Sequence, residues 1–135
     1  MADPDIPPLA SRLRVRAKVW LEDDQRRVLI SDFRARLLAE IERAGSVAAA
    51  ARALGLPYRT AWKKLQEMED LAGTALLESV SGGASGGKTR LTAEARGLLR
   101  AFRKLTAPIE AAVGEDALRE PAEPDEPRPP RRRRG

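Results

Sequence analysis

The chain has 135 residues, a formal net charge of +5, and neither cysteine nor histidine, so it can hold one domain with a single modest core. The two missing residue types exclude a disulfide framework, a thiolate or imidazole metal site, and the Cys-His and Ser-His catalytic pairs. A pI near 10.2 points instead toward an anionic partner such as nucleic acid. No apolar run approaches the roughly 20 residues of a membrane span. The first residues lack the basic and apolar regions of a signal peptide. A cytoplasmic, nucleoid-associated protein without catalytic, cofactor or metal site is expected.

Residues 1–10 contain Pro4, Pro7 and Pro8 without apolar periodicity and read as a flexible leader. The folded domain is expected over residues 11–113. From Arg12 onward, strict alternation puts Leu13, Val15, Ala17, Val19 and Leu21 on one side. Arg12, Arg14, Arg16, Lys18 and Trp20 fall on the other, the pattern of a half-buried strand. Glu22 to Gln25 form a polar turn and Arg26 to Ile30 a second strand, giving an N-terminal β-hairpin with one solvated cationic face. Ser31 or Asp32 then caps a helix whose stripe is Phe33, Leu37, Ile41 and Ala44, flanked by Leu38 and ended by Gly45.

Residues 45–72 read as two short helices around a tight turn. Ser46 is the N-cap of the first, and Val47, Ala50, Ala51 and Leu54 recur at i, i+3, i+4 and i+7, one apolar face. Gly55 supplies a left-handed residue to end it, and Pro57 fits the first turn of the next helix. That helix has the inward positions Ala61, Leu65, Met68 and Ala72, with Trp62 expected in the core at its inner edge. Tyr58, Arg59, Thr60, Lys63 and Lys64 are expected to face outward. A basic N-terminal half on a second helix suits the recognition helix of a helix-turn-helix, which enters the DNA major groove.

Gly73 ends this helix, and a strand from Ala75 to Glu78, the glycine-rich run Ser81 to Gly87 and a strand from Lys88 to Leu91 form a hairpin, or wing. Thr92 caps a last long helix striped by Ala95, Leu98, Leu99, Phe102 and Leu105, with a kink or restart at Pro108. Residues 114–135 read as a disordered, proline-rich tail, acidic first and basic at Arg131 to Arg134. Its six acids and six bases cancel, so the net charge belongs to residues 1–113, with 19 basic and 14 acidic residues.

Gly82 to Thr89 also satisfies the P-loop pattern G-x-x-x-x-G-K-[ST]. A P-loop needs a buried strand before it and a parallel sheet of further strands, one of them tipped with an acid for magnesium. Leu76 to Val80 is a poor buried strand, and only helical stripe and tail follow Thr89. Nucleotide binding is not expected.

Residues 13–105 resemble the N-terminal winged-helix domain of the ModE family of molybdate-responsive regulators, related to the LysR-type DNA-binding domain. The resemblance is carried by Gly45-Ser46, Ala49 to Gly55, Tyr58-Arg59 with Ala61-Trp62, Leu76 to Glu78, the glycine pairs at 82–83 and 86–87, and Leu91-Thr92. It implies a homodimer held largely through the first and last long helices, a palindromic operator, and a wing tip at the glycine loop. Family members commonly place a serine where Pro57 stands and arginines where Ser79 and Val80 stand. Their full-length forms add oxyanion-binding domains where the tail is read here, so molybdate is not expected as a ligand.

The expected fold is mainly α with small β: a winged helix-turn-helix preceded by a β-hairpin and followed by a long helix. The expected function is sequence-specific binding of double-stranded DNA as a dimeric transcriptional regulator, with contacts from Ser46, Tyr58, Arg59, Thr60, Lys63, Lys64, Lys88 and Arg90. The alternative is a winged-helix interaction module that has lost specific DNA binding.

Overall fold

The computed structural model describes residues 13–80 and 87–119. The expected leader, most of the expected tail and the wing tip lie outside them. The described chain begins with a short hairpin, β1 (Trp20–Glu22) paired antiparallel with β2 (Val28–Ser31). Its turn is organised by Asp23. The Asp23 carboxylate accepts the Gln25 amide at 2.9 Å, the Arg27 amide at 2.8 Å and the Arg27 Nε at 2.8 Å. These bonds, the Arg27 amide foremost, hold the Asp23 carboxyl below its ordinary value against a smaller opposing effect of desolvation. They also let Arg26 take the left-handed conformation, φ 64°, without being glycine.

The strand expected from Leu13 starts only at Trp20, and Leu13 and Val15 are exposed. β2 is four residues long, so it offers no backbone partner to anything before Trp20. The preceding residues are tied instead to the far end of the chain. The Ala17 amide donates to the Ala117 carbonyl at 2.9 Å, and the Arg16 guanidinium donates to the carbonyls of Asp116, at 2.9 Å, and Arg119. Order therefore extends beyond Gly114. Residues Glu115–Leu118 form one 3-10 turn, and Ala117 and Leu118 are buried, Leu118 lining a small pocket with Val19, Phe102 and Thr106. Two apolar side chains with a place to go are enough to hold that turn.

Four helices follow the hairpin: α1 (Asp32–Ala44), α2 (Val47–Ala53), α3 (Tyr58–Ala72) and, after a second hairpin, α4 (Ala93–Val113). The second hairpin pairs β3 (Leu77–Val80) with β4 (Lys88–Leu91), and its register sets Leu77 opposite Leu91 and Glu78 opposite Arg90. Local chemistry explains the boundaries. The hydroxyls of Ser31, Ser46 and Thr92 accept the amides of Arg34, Ala49 and Ala95, capping α1, α2 and α4. Gly45 at φ 79° and Gly73 at φ 69° take the left-handed conformation that ends α1 and α3.

The core lies where α1 packs against α2, β2, β4 and α4, with α3 set against α2 and β2, and its fully buried members include Ile30, Phe33, Leu37, Leu38, Ile41, Leu65, Met68, Leu76 and Leu91. α4 continues as one helix through Pro108, so the expected restart does not occur. Pro108 lies on an exposed stretch, where the Lys104 carbonyl that loses its helical donor can bond to water. The buried stripe of α4 leaves the expected track at its end. Thr106 is buried, while Leu105 is 57% exposed.

Gly97, inside α4 with open space on the side where a Cβ would stand, offers a test of this packing. Gly97→Ala is expected to raise stability by about 0.5–1 kcal/mol, because alanine loses less backbone entropy in a helix. Gly45→Ala is expected to lower it by about 1–2 kcal/mol, since its left-handed backbone disfavours any Cβ. Urea unfolding of both variants measures the contrast, and equal shifts would contradict the helix assignments.

Candidate nucleic-acid interface

The exposed surface of the helix-turn-helix is built from the inside out. Ala50 and Ala51 on α2 and Ala61 on α3 are buried with almost no residual exposure, so the two helices pack through small side chains. Between them Gly55 turns the chain at φ 68° and Leu56 is buried. Pro57 precedes α3 and gives it no side-chain cap, so the amides of its first turn are not met by a capping oxygen. A helix start of this kind is electrostatically suited to an anion.

α3 buries Ala61, Lys64, Leu65 and Met68. Lys64, expected to face outward, is only 9% exposed, and its ammonium lies 5.5 Å from the centroid of the Phe33 ring. The reason is its position, because 61, 64, 65 and 68 follow i, i+3, i+4 and i+7, the inward stripe itself. A long aliphatic stem and an aromatic face beneath the charge make burial tolerable there. Beside it the nearly buried Arg34 guanidinium pairs with Glu67 at 2.8 Å and donates to the Val28 carbonyl at 3.2 Å.

Arg59 and Lys63 remain on the exposed face, one helical turn apart, with Gln66 the next exposed residue along it. Thr60 is half-buried at its edge. Trp62 departs from expectation in the other direction. It is 39% exposed rather than core, and it meets Tyr58, 53% exposed, edge to face with ring centroids 6.2 Å apart. Charge divides along α3: Arg59, Lys63 and Lys64 occupy its first half, and Glu67, Glu69 and Asp70 its second. Ser46, half-buried, accepts the Ala49 amide at 3.0 Å through its hydroxyl oxygen.

The second hairpin is fastened behind this surface by carboxylates. Glu42 near the end of α1 accepts the Leu91 amide at 2.7 Å, and Glu69 of α3 accepts the Leu76 amide at 2.9 Å. The Thr89 amide donates to the Gly45 carbonyl at 2.8 Å, which sets β4 against the end of α1. Sequence reasoning missed both glutamates. The available signal was their placement near helix C-termini, where an acid opposes the helix dipole unless it has another task. Lys88 is exposed at the root of the wing with its stem beside Gly45. Arg90 is not a free cation, because its guanidinium pairs across the strands with Glu78 at 2.8 Å. Lys88 and Thr89, the last letters of the P-loop pattern, open a strand antiparallel to β3, and the pattern's residues before Gly87 lie outside the described residues.

Of the eight expected contacts, Tyr58, Arg59, Lys63 and Lys88 are exposed, Ser46 and Thr60 are half-buried, Arg90 is exposed but paired with Glu78, and Lys64 points inward. Two helices around a tight turn, a basic exposed start to the second and a two-stranded wing behind them define a winged helix-turn-helix protein. Residues 34–96 match the family described as bacterial regulatory helix-turn-helix protein, lysR family.

The chain is 38% identical over 100 residues to the molybdenum transport protein ModE of Azotobacter vinelandii, covering 74% of this chain and 37% of that protein. It is 38% identical over 78 residues to the transcriptional regulator ModE of Haemophilus influenzae, covering 58% of this chain and 31% of the relative. To the DNA-binding transcriptional dual regulator ModE of Escherichia coli K12 it is 31% identical over 78 residues, covering 58% and 30%. The chain thus spans about a third of the length of these relatives. No helix of the described residues is long and apolar enough to cross a membrane.

Proposed function

We propose that the chain binds double-stranded DNA with sequence preference and regulates transcription in the cytoplasm as a homodimer, with α3 of each copy in a major groove. The observation that carries this is the exposed pair Arg59 and Lys63 on the first half of α3, directly after a tight turn and beside a helix start without a side-chain cap. Cations and unmet amides gathered at one edge suit a phosphate backbone, and the first turn of such a helix reaches base edges. Lys88 adds a wing contact, while Glu78 draws Arg90 away from that task. The lysR-family match over residues 34–96 and a DNA-binding regulator among the relatives support the same reading. A second copy is supported by the outer edge of α4, where Leu105 and Ile109 lie one turn apart and exposed.

Salt dependence tests the proposal. Lys63 and Lys88 from two copies offer about four phosphate contacts, so affinity is expected to fall about a hundredfold between 50 and 200 mM salt. Titration of genomic fragments measures this, and sedimentation of the complex should give two copies per duplex. Failure to bind any duplex at low salt would favour the interaction module instead.

A further inference from the structure

Tyr58 and Trp62 are large, partly exposed aromatic rings on the one helical surface whose neighbours, Arg59 and Lys63, are charged. The contact between them shields only part of each ring. Neither the Tyr58 hydroxyl nor the Trp62 indole N–H has a hydrogen-bond partner among the described residues. The core does not account for the pair, since the inward stripe of α3 is completed by Ala61, Lys64, Leu65 and Met68. The edge-to-face contact holds both rings in one orientation, so their apolar surface is presented as a unit.

We infer that the Tyr58–Trp62 pair is an apolar reader of thymine, packing against the 5-methyl group of a base next to the one met by Arg59. This rests on the DNA-binding reading above and deepens it. If α3 enters a major groove, its exposed apolar surface needs an apolar counterpart there. Among the base edges of that groove only thymine supplies one, its C5-methyl, while the other groups are hydrogen-bond donors and acceptors. The rings lie on the first two turns of α3, the part that reaches base edges, and Trp62 stands one turn from Tyr58 as Lys63 does from Arg59. Two parallel tracks result, one charged and one aromatic. The charged track meets phosphate and guanine, and the aromatic track meets thymine.

The experiment uses deoxyuridine, which keeps the Watson–Crick pairing of thymine and removes only the methyl group. The full chain first selects a preferred site from a randomised duplex library, and each thymine of that site is then replaced singly by uracil. One thymine in each half-site is expected to lose about fourfold in affinity on replacement, the effect of unburying one methyl-sized group. In Trp62→Ala the thymine and uracil duplexes should bind alike, whereas Tyr58→Phe, which keeps both rings, should retain the preference. Thermal unfolding of each variant confirms that the fold is kept. If a site is selected but every uracil replacement is neutral, or if Trp62→Ala keeps the full thymine preference, the inference is overturned and DNA binding stands. If no site is selected from the library, the sequence-specific reading fails and takes this inference with it.

Discussion

Phe33→Ala is expected to destabilise the protein by about 3–5 kcal/mol, read as a lower urea midpoint with little change in slope. Phe33 is wholly buried on α1, against the inner face of the helix-turn-helix. Removing the ring loses its transfer free energy and leaves a cavity that the surrounding close-packed core, of which Ile30, Leu37, Leu65 and Met68 are members, fills only in part. A second loss is specific to this site. The Arg36 guanidinium and the Lys64 ammonium lie 5.4 and 5.5 Å from the ring centroid, so the ring face is also the counterpart of two cations. Lys64 is nearly buried and would be left above an apolar hole. Against a total stability of about 5–15 kcal/mol for a domain of this size, the loss is large enough to populate the unfolded state. Phe33→Leu should fall between, keeping the apolar filling but not the π face. A Phe33→Leu variant as stable as the parent protein would show that the cations gain nothing from the ring.

Arg59→Ala is expected to relax sequence preference at one position of each half-site by about 1–3 kcal/mol, while Lys63→Ala lowers affinity for all sequences nearly alike. Arg59 is the second residue of α3 and exposed, and its planar guanidinium can meet O6 and N7 of guanine with two parallel bonds. Lys63 stands one turn further from the helix start with a single compact charge, which suits a phosphate. Lys63→Ala should therefore reduce the salt slope by about 1 per copy. A two-fold dimer would place the half-sites about 34 Å apart, one helical turn, or a multiple of it. Binding of both variants to a library of site mutants distinguishes the roles. If Arg59→Ala weakens binding but keeps every preference, Arg59 contacts phosphate and another residue reads the base.

Sequence pattern and structure agree most closely where the chemistry is local. The capping oxygens of Ser31, Ser46 and Thr92 act within three residues, and Gly45, Gly55 and Gly73 have the left-handed backbone that their own lack of a Cβ permits. The inward stripe of α1 is likewise a matter of spacing alone, as is the helix-turn-helix itself. The exposure of Arg59 and Lys63 follows in the same way.

Side chains whose surroundings come from distant parts of the chain are not legible in this way. Charge alone assigns Lys64 outward, yet it sits on the inward stripe and finds the Phe33 ring from α1 beneath it. Apolar bulk assigns Trp62 inward, yet the space beneath α3 is filled by Leu65 and Met68, and its neighbour is Tyr58. Alternation from Leu13 describes a strand correctly as a pattern, but a strand needs a partner, and the short β2 reaches only to Trp20.

The succession of elements, their caps and stops, and the basic start of α3 are written in the local sequence, because each depends on residues within about one helical turn of one another. It took the assembled fold to pair Arg90 with Glu78, to set Lys64 over the Phe33 ring, to fasten the wing through Glu42 and Glu69, and to tie the 3-10 turn at residues 115–118 to Arg16 and Ala17. Those outcomes turn on contacts between residues far apart in the chain, such as the 49 positions separating Glu42 from Leu91. No periodicity along the chain records them, since burial and hydrogen bonding there are properties of the assembled packing.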